Sequence, residues 1–156
     1  MAIAKKLREY LKQNKVKYEV LEHSVAYSAA RTAAAQHVSG RQVVKSVICD
    51  ADGNYIMCVL DADHLVDLAK LKRVVGAKEV HLATEEEVAQ LFTDYEVGAE
   101  PPFGNLVGLS VYADKHVSDS DDIYFNGGNH TDLVKMRCHD FMELVRPIVA
   151  DVGRHV

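Results

Sequence analysis

Apolar residues recur at helical spacing through Ile3, Leu7 and Leu11, which predicts an amphipathic helix over about residues 2–13. Tyr18–Glu22 alternates and reads as a strand. Ser28–Val38 is alanine-rich and suits a short helix opened by Ser28. Two apolar or β-branched runs, Val43–Asp50 and Tyr55–Leu60, flank Asp50-Ala-Asp-Gly53, so the spacing predicts a hairpin. Val66–Val75 returns to the helical period, and Gly76 supplies a stop. Lys78–Leu82 reads as a short strand. Thr84-Glu-Glu-Glu87 is a capping box that starts a helix ending near Phe92. Leu106–Tyr112, Asp122–Phe125 and Leu133–Arg137 read as strands, and Asp140–Val149 as a closing helix. Strands grouped in pairs between helices, without regular βαβ alternation, predict an α+β fold with a mixed sheet.

A length of 156 residues fits one domain over residues 1–156, large enough to bury its own core. The net charge of −5 excludes a protein that coats DNA. Nine basic and three acidic residues give +6 over residues 1–45, and nine basic and twenty acidic residues give −11 over the rest. That polarity fits either one cationic face on an acidic body or a solvated first helix. No apolar stretch of signal-peptide length follows the basic residues of Met1–Tyr10, and no apolar run reaches ~18 residues, so a cytoplasmic protein without a membrane partner is expected. Cys49, Cys58 and Cys138 are odd in number and lack CxxC spacing, which suits reduced core thiols.

One strand carries a conflict. Alternation over Val43–Asp50 puts Lys45 in a row with Val43, Val47 and Cys49, while Ser46 shares the other face with Val44 and Ile48. A buried ammonium is costly unless paired. Lys45 therefore reads either as a cleft lysine that binds an anion or as a snorkelling residue at a sheet edge. The loop Gly98-Ala-Glu-Pro-Pro-Phe-Gly104 has a backbone fixed by two prolines and two glycines; it either presents amides and carbonyls to a ligand or is a structural crossover. Asn126-Gly-Gly-Asn-His130 has hairpin chemistry, with His130 either a proton or phosphate contact or a packed residue. Phosphate-loop, dinucleotide, HExxH and GxSxG motifs are absent. Asp61, Asp63 and His64 could ligate a metal, but a polar turn before a helix is the simpler reading, and neither metal nor organic cofactor is expected.

In this order the segments resemble the YbaK / prolyl-tRNA synthetase-associated family, relatives of the editing domain inserted in bacterial prolyl-tRNA synthetases. The segments are His37-Val-Ser-Gly-Arg-Gln-Val-Val-Lys45, Val66-Asp-Leu-Ala-Lys-Leu71, Tyr95-Glu-Val-Gly98 with Pro102-Phe-Gly104, Tyr112-Ala-Asp114 and Asn126-Gly-Gly128. The resemblance implies a compact α+β fold around a curved mixed sheet with surrounding helices. It implies hydrolysis of the ester joining a small wrong amino acid to the 3′ end of a tRNA, with an aminoacyl-tRNA synthetase as a possible further partner. By the same resemblance Lys45 is the active-site lysine, which would meet the terminal adenosine. Gly98 and Pro102 belong to the GxxxP loop, and the Gly98 backbone would position the attacking water. Gly127 and Gly128 would line the opposite wall, His130 matches a position where some members carry a functional histidine, and Ser46 would help set the pocket. The chain departs from the pattern at Pro101, where many members have a small hydroxyl residue, and at Glu100 inside the loop. Two other functions stay open: a module that binds a tRNA 3′ end or nucleotide, or docks on a synthetase, without hydrolysis, and a hydrolase of another activated ester.

Overall fold

The computed structural model describes residues 3–22 and 43–155, and the helix expected at Ser28–Val38 lies outside the described residues. The chain runs through α1 (Lys5–Gln13), β1 (Tyr18–Glu22), β2 (Val44–Ala51), β3 (Asn54–Asp61), β4 (His64–Val66), α2 (Leu68–Val75), β5 (Val80–Leu82) and α3 (Glu85–Leu91). A 3-10 turn at Gly104–Val107 leads to β6 (Ser110–Asp114), α4 (Lys115–Ser118), β7 (Asp122–Asn126) and β8 (Asp132–Arg137). The last elements are α5 (Cys138–Val145), β9 (Ile148–Ala150) and β10 (Gly153–His155). The fold class is the expected α+β, with the described strands in three sheets. A five-stranded sheet has the order β5-β2-β3-β6-β9; β2 is antiparallel to both β3 and β5, while β3, β6 and β9 are parallel. An antiparallel sheet β1-β8-β7 and a pair β10-β4 complete the set.

Local chemistry explains most element boundaries. The β2–β3 hairpin turns on Asp52 and Gly53, both left-handed at φ 52° and 87°, as a tight hairpin turn requires. Asp67 caps α2 by accepting from the Lys70 amide at 3.1 Å, so the helix starts two residues later than the apolar period predicts, and left-handed Gly76 ends it. The capping box of α3 is complete: the Glu87 amide donates to Thr84 Oγ1 and the Thr84 amide to Glu87 Oε1.

Two expectations are corrected. Residues 104–107 form a 3-10 turn instead of the start of a strand, and left-handed Gly108 breaks the chain before β6. The closing helix stops at Val145 instead of continuing to Val149. Arg146 turns left-handed and Pro147 has no amide to continue the ladder, so residues 148–150 become β9.

Both faces of the five-stranded sheet are covered. Val44 and Ile48 face the main core, where Leu7 and Leu11 of α1 pack with Phe103, Phe125 and Phe141. Val47, Cys49 and Ala51 face a second cluster with Leu60, Leu71 and Val152. The three cysteines are free and buried. Among the described residues, no helix is long and apolar enough to cross a membrane.

Candidate active site

The loop after α3 is held by backbone bonds to the turn between β7 and β8. The Glu96 amide donates to the Gly128 carbonyl at 2.8 Å, and the Gly128 amide donates to the Ala99 carbonyl at 3.1 Å. His130 is 4% exposed, and its Nε2 lies 2.8 Å from the Val97 carbonyl. A carbonyl only accepts, so Nε2 carries the hydrogen. The His130 ring lies behind Gly98: a Cβ added there would come within 3.3 Å of its Cε1. His130 therefore acts on this loop as a buttress. Asn129 shapes the turn itself; its Oδ1 accepts from the amides of Thr131 and Asp132, and its Nδ2 donates to Asp132 Oδ2. An Asn two and three residues before the amides it bonds is an Asx-turn signal that the sequence carries and that glycine chemistry overshadowed.

Gly127 and Gly128 are places of close approach. A Cβ on Gly127 would meet Ile3 Cγ2 at 2.6 Å; one on Gly128 would meet Ala4 Cβ at 2.7 Å and Tyr95 Cδ1 at 2.9 Å. The Ala4 amide donates to the Gly127 carbonyl at 2.7 Å, so the lead-in to α1 is tied to the back of the same turn. At the far end of the loop, Pro102 is buried and Phe103 packs edge-on against Phe125 and Phe141, anchoring the loop in the core.

At the loop's centre, left-handed Gly98 donates its amide to Glu100 Oε1 at 2.9 Å, and Ser46 Oγ donates to the Glu100 carbonyl at 3.0 Å. Glu100, which enters the sequence only as a departure from a family pattern, thus joins β2 to the loop. It is 7% exposed, and burial pushes its carboxyl up against the opposing pull of the Gly98 amide. A carboxyl raised in the folded state gives stability that is lost as pH climbs from its unfolded value through its folded one. Glu100→Gln stays neutral and keeps an acceptor for Gly98. It is expected to exceed the parent in stability by roughly 1 kcal/mol near pH 8 and to lose that lead near pH 4, as read by thermal unfolding. An equal difference at both pH values would rule out a charged, buried Glu100.

Ser46, Gly98 and Glu100 line a cleft of about 220 Å³ with Ile48, Val88 and Val97 as apolar walls. That is below the ~300–1,000 Å³ usual for whole drug-sized ligands and suits a small side chain. A larger concavity of about 610 Å³ lies over the three-stranded sheet, bordered by Lys17, Lys135 and Arg137, away from the convergent polar groups.

The structure brings Ser46, Gly98, Gly128 and His130 to one loop, with Gly127 and Pro102 supporting it. Lys45 stands apart. It lies opposite Leu60 on the face of β2 away from Ser46, and no hydrogen bond or ion pair joins it to the loop among the described residues. Burial lowers its pKa, while the charge of Asp63 raises it. Lys45 and Ser46 nonetheless flank the same stretch of edge, because β5 covers β2 only at Cys49–Ala51.

The aminoacyl-tRNA editing domain family matches residues 23–144. The proline–tRNA ligase of Bacillus subtilis (strain 168) is 38% identical over 84 residues, and that of Staphylococcus aureus (strain Newman) is 33% identical over 85. These stretches are 51% and 53% of this chain but 14% of each ligase, so the chain corresponds to a small part of those relatives. The hypothetical protein APE2540 superposes with a TM-score of 0.86 at 24% identity, over 96% of this chain and all of the other. A proposed trans-editing enzyme for prolyl-tRNA synthetase superposes at 0.83, also at 24% identity, over 97% and 96%. These two likenesses concern the fold.

Proposed function

Because the chain belongs to the aminoacyl-tRNA editing domain family, we propose that it removes a small, wrongly attached amino acid from the 3′ end of a tRNA by hydrolysing the ester. The observation that carries this is the loop-centred cleft, small in volume, apolar on its walls, and crossed by Ser46, Gly98 and Glu100. An aminoacyl ester is already activated, so a held water and a held ester supply most of the rate without a strong nucleophile. Glu100 occupies the Gly98 amide, so that amide is not a donor to an oxyanion. The Gly98 carbonyl takes no hydrogen bond among the described residues and can accept one from the attacking water.

The amino-acid side chain would enter the cleft on the Ser46 face of β2. The terminal adenosine would cross the stretch of that strand's edge that β5 does not pair and set a phosphate against Lys45. Exposed Arg8 and Lys12 on α1 supply a cationic surface beside the turn that carries the loop, while Lys5 is paired with Glu9 at 3.9 Å and Lys6 with Asp94 at 3.1 Å. The resemblance to part of a proline–tRNA ligase makes proline tRNA the first candidate, with the synthetase as a docking partner in the cytoplasm. Among small side chains, one methylene changes binding by only ~1–3 kcal/mol, so the preferred amino acid has to be measured.

The occupied Gly98 amide favours a second reading, a module that holds a tRNA end without hydrolysing it. A panel of mischarged tRNAs separates the two. Release of alanine, serine or cysteine while the correctly charged tRNA stays intact is the expected result. Saturable tRNA binding with no ester lost anywhere in the panel would establish the module instead.

A further inference from the structure

At the C-terminal ends of β3 and β6, a second group of polar residues gathers away from the cleft. Ligand atoms of His64, Asp114 and His116 lie within 4.8 Å of one another, and so do those of Asp61, Asp63 and His64. The two triads share His64, whose ring stands 5.1 Å from that of His116 and 5.2 Å from that of His155. Each of the first two imidazoles is turned by a carboxylate. His64 Nδ1 is 2.8 Å from Asp63 Oδ1, and His116 Nδ1 is 2.9 Å from Asp114 Oδ2. A histidine that gives its Nδ1 hydrogen to a carboxylate keeps Nε2 as a free lone pair, the arrangement found behind metal-bound imidazoles.

Asp61 adds an independent observation. It is 2% exposed, and its Oδ1 has no hydrogen-bond partner among the described residues. A buried carboxylate oxygen without a donor is costly. Asp114 is fully used, since its Oδ1 accepts from the amides of Val152 and Gly153. Three carboxylates, those of Asp61, Asp63 and Asp114, thus gather around the imidazoles, with Lys45 facing Asp63 from the side of β2. The cluster is not sealed: the side chains of His116 and His155 are 51% and 61% exposed.

The geometry points to a divalent transition-metal site centred on His64, the residue the two triads share, with Asp61 drawn in from one triad and His116 from the other as the further ligands, and Asp63 and Asp114 orienting the rings. Two imidazoles with carboxylate oxygen suit zinc, cobalt(II) or manganese(II) rather than calcium or magnesium. The ion would fasten the turn after β3 and the start of α4, beside β10, where His155 is paired in register with His64. It would replace the plain polar turn expected at Asp61–His64, and it goes beyond the hydrolysis reading, which calls on no metal and meets this cluster only where Asp63 faces Lys45.

The test is titration of the full chain, stripped with a chelator, with cobalt(II) and with zinc. Expected are one ion per chain, visible cobalt absorption bands, and a melting temperature raised by roughly 5 °C at a hundredfold excess over Kd. Asp61→Asn, which keeps the shape of the side chain, and His116→Gln, at a half-exposed position, should each weaken binding by at least ~10-fold. His139→Gln, at an exposed His139–Glu143 pair elsewhere, should leave it unchanged. Absence of binding overturns the proposal, as does binding that survives Asp61→Asn unchanged, because Asp61 would then be no ligand.

Discussion

Replacing Lys45 with alanine is expected to lower the deacylation rate by roughly 100-fold or more while the chain still folds. Deleting one electrostatic stabiliser from a reaction centre has effects of that size. The fold should survive because Asp63, the charge facing Lys45, keeps His64 at 2.8 Å and His155 at 3.4 Å as partners. No buried charge is orphaned by the change. Lys45→Arg keeps the charge in a broader, flatter group and should recover part of the rate. Single-turnover deacylation of one mischarged tRNA, with unfolding curves for each variant, is the measurement. Full activity in Lys45→Ala would remove the substrate from the edge of β2 and leave the loop alone to account for catalysis.

Gly128→Ala is expected to destabilise the protein by about 2–4 kcal/mol and to remove activity with it. The backbone there has φ 98°, which an alanine adopts only under strain, and the new methyl would run into Ala4 and Tyr95 at under 3 Å. Neither neighbour can yield without shifting the lead-in to α1 or the loop that carries Gly98. Gly76 provides the contrast. It is also left-handed, at φ 76°, but has open space where its Cβ would stand, so Gly76→Ala should cost about 1 kcal/mol and leave activity alone. Chemical denaturation of both variants tests the pair; equal losses would mean that backbone strain, and not the crowding behind the loop, dominates at Gly128.

What could be read from the sequence was local. The Asp52-Gly53 hairpin and the Thr84 capping box depend on residues within four positions, and both formed as their chemistry dictates. The strands β4, β9 and β10 have three residues each and pair with partners distant in sequence, so no local period announces them. The end of α5 was legible in Pro147 but was overridden by the apolar residues that follow it. For the site, alternation alone placed Lys45 and Ser46 on opposite faces of β2, and the structure keeps them there. Gly98, Gly128 and His130 stood out as residue types, whereas their mutual contacts run largely through backbone groups that any sequence possesses. Asp61, Asp63 and His64 are neighbours in the chain; Asp114 and His116 join them only because β6 lies parallel to β3.

The backbone clasp of Ala4 to Gly127, Gly128 to Ala99 and Glu96 to Gly128 also bears on when the proposed activity can first exist. Each bond spans about thirty residues or more, and the longest joins the beginning of the chain to a turn near its end. Contacts so distant in sequence form after local helices and hairpins, because loop closure costs entropy before any long-range contact rewards it. A growing polypeptide therefore has no working loop until the β7–β8 turn is made and the first helix has docked on it. Competence for the proposed hydrolysis arrives with the whole fold, so truncated or half-folded chains would carry the recognisable segments without a formed loop.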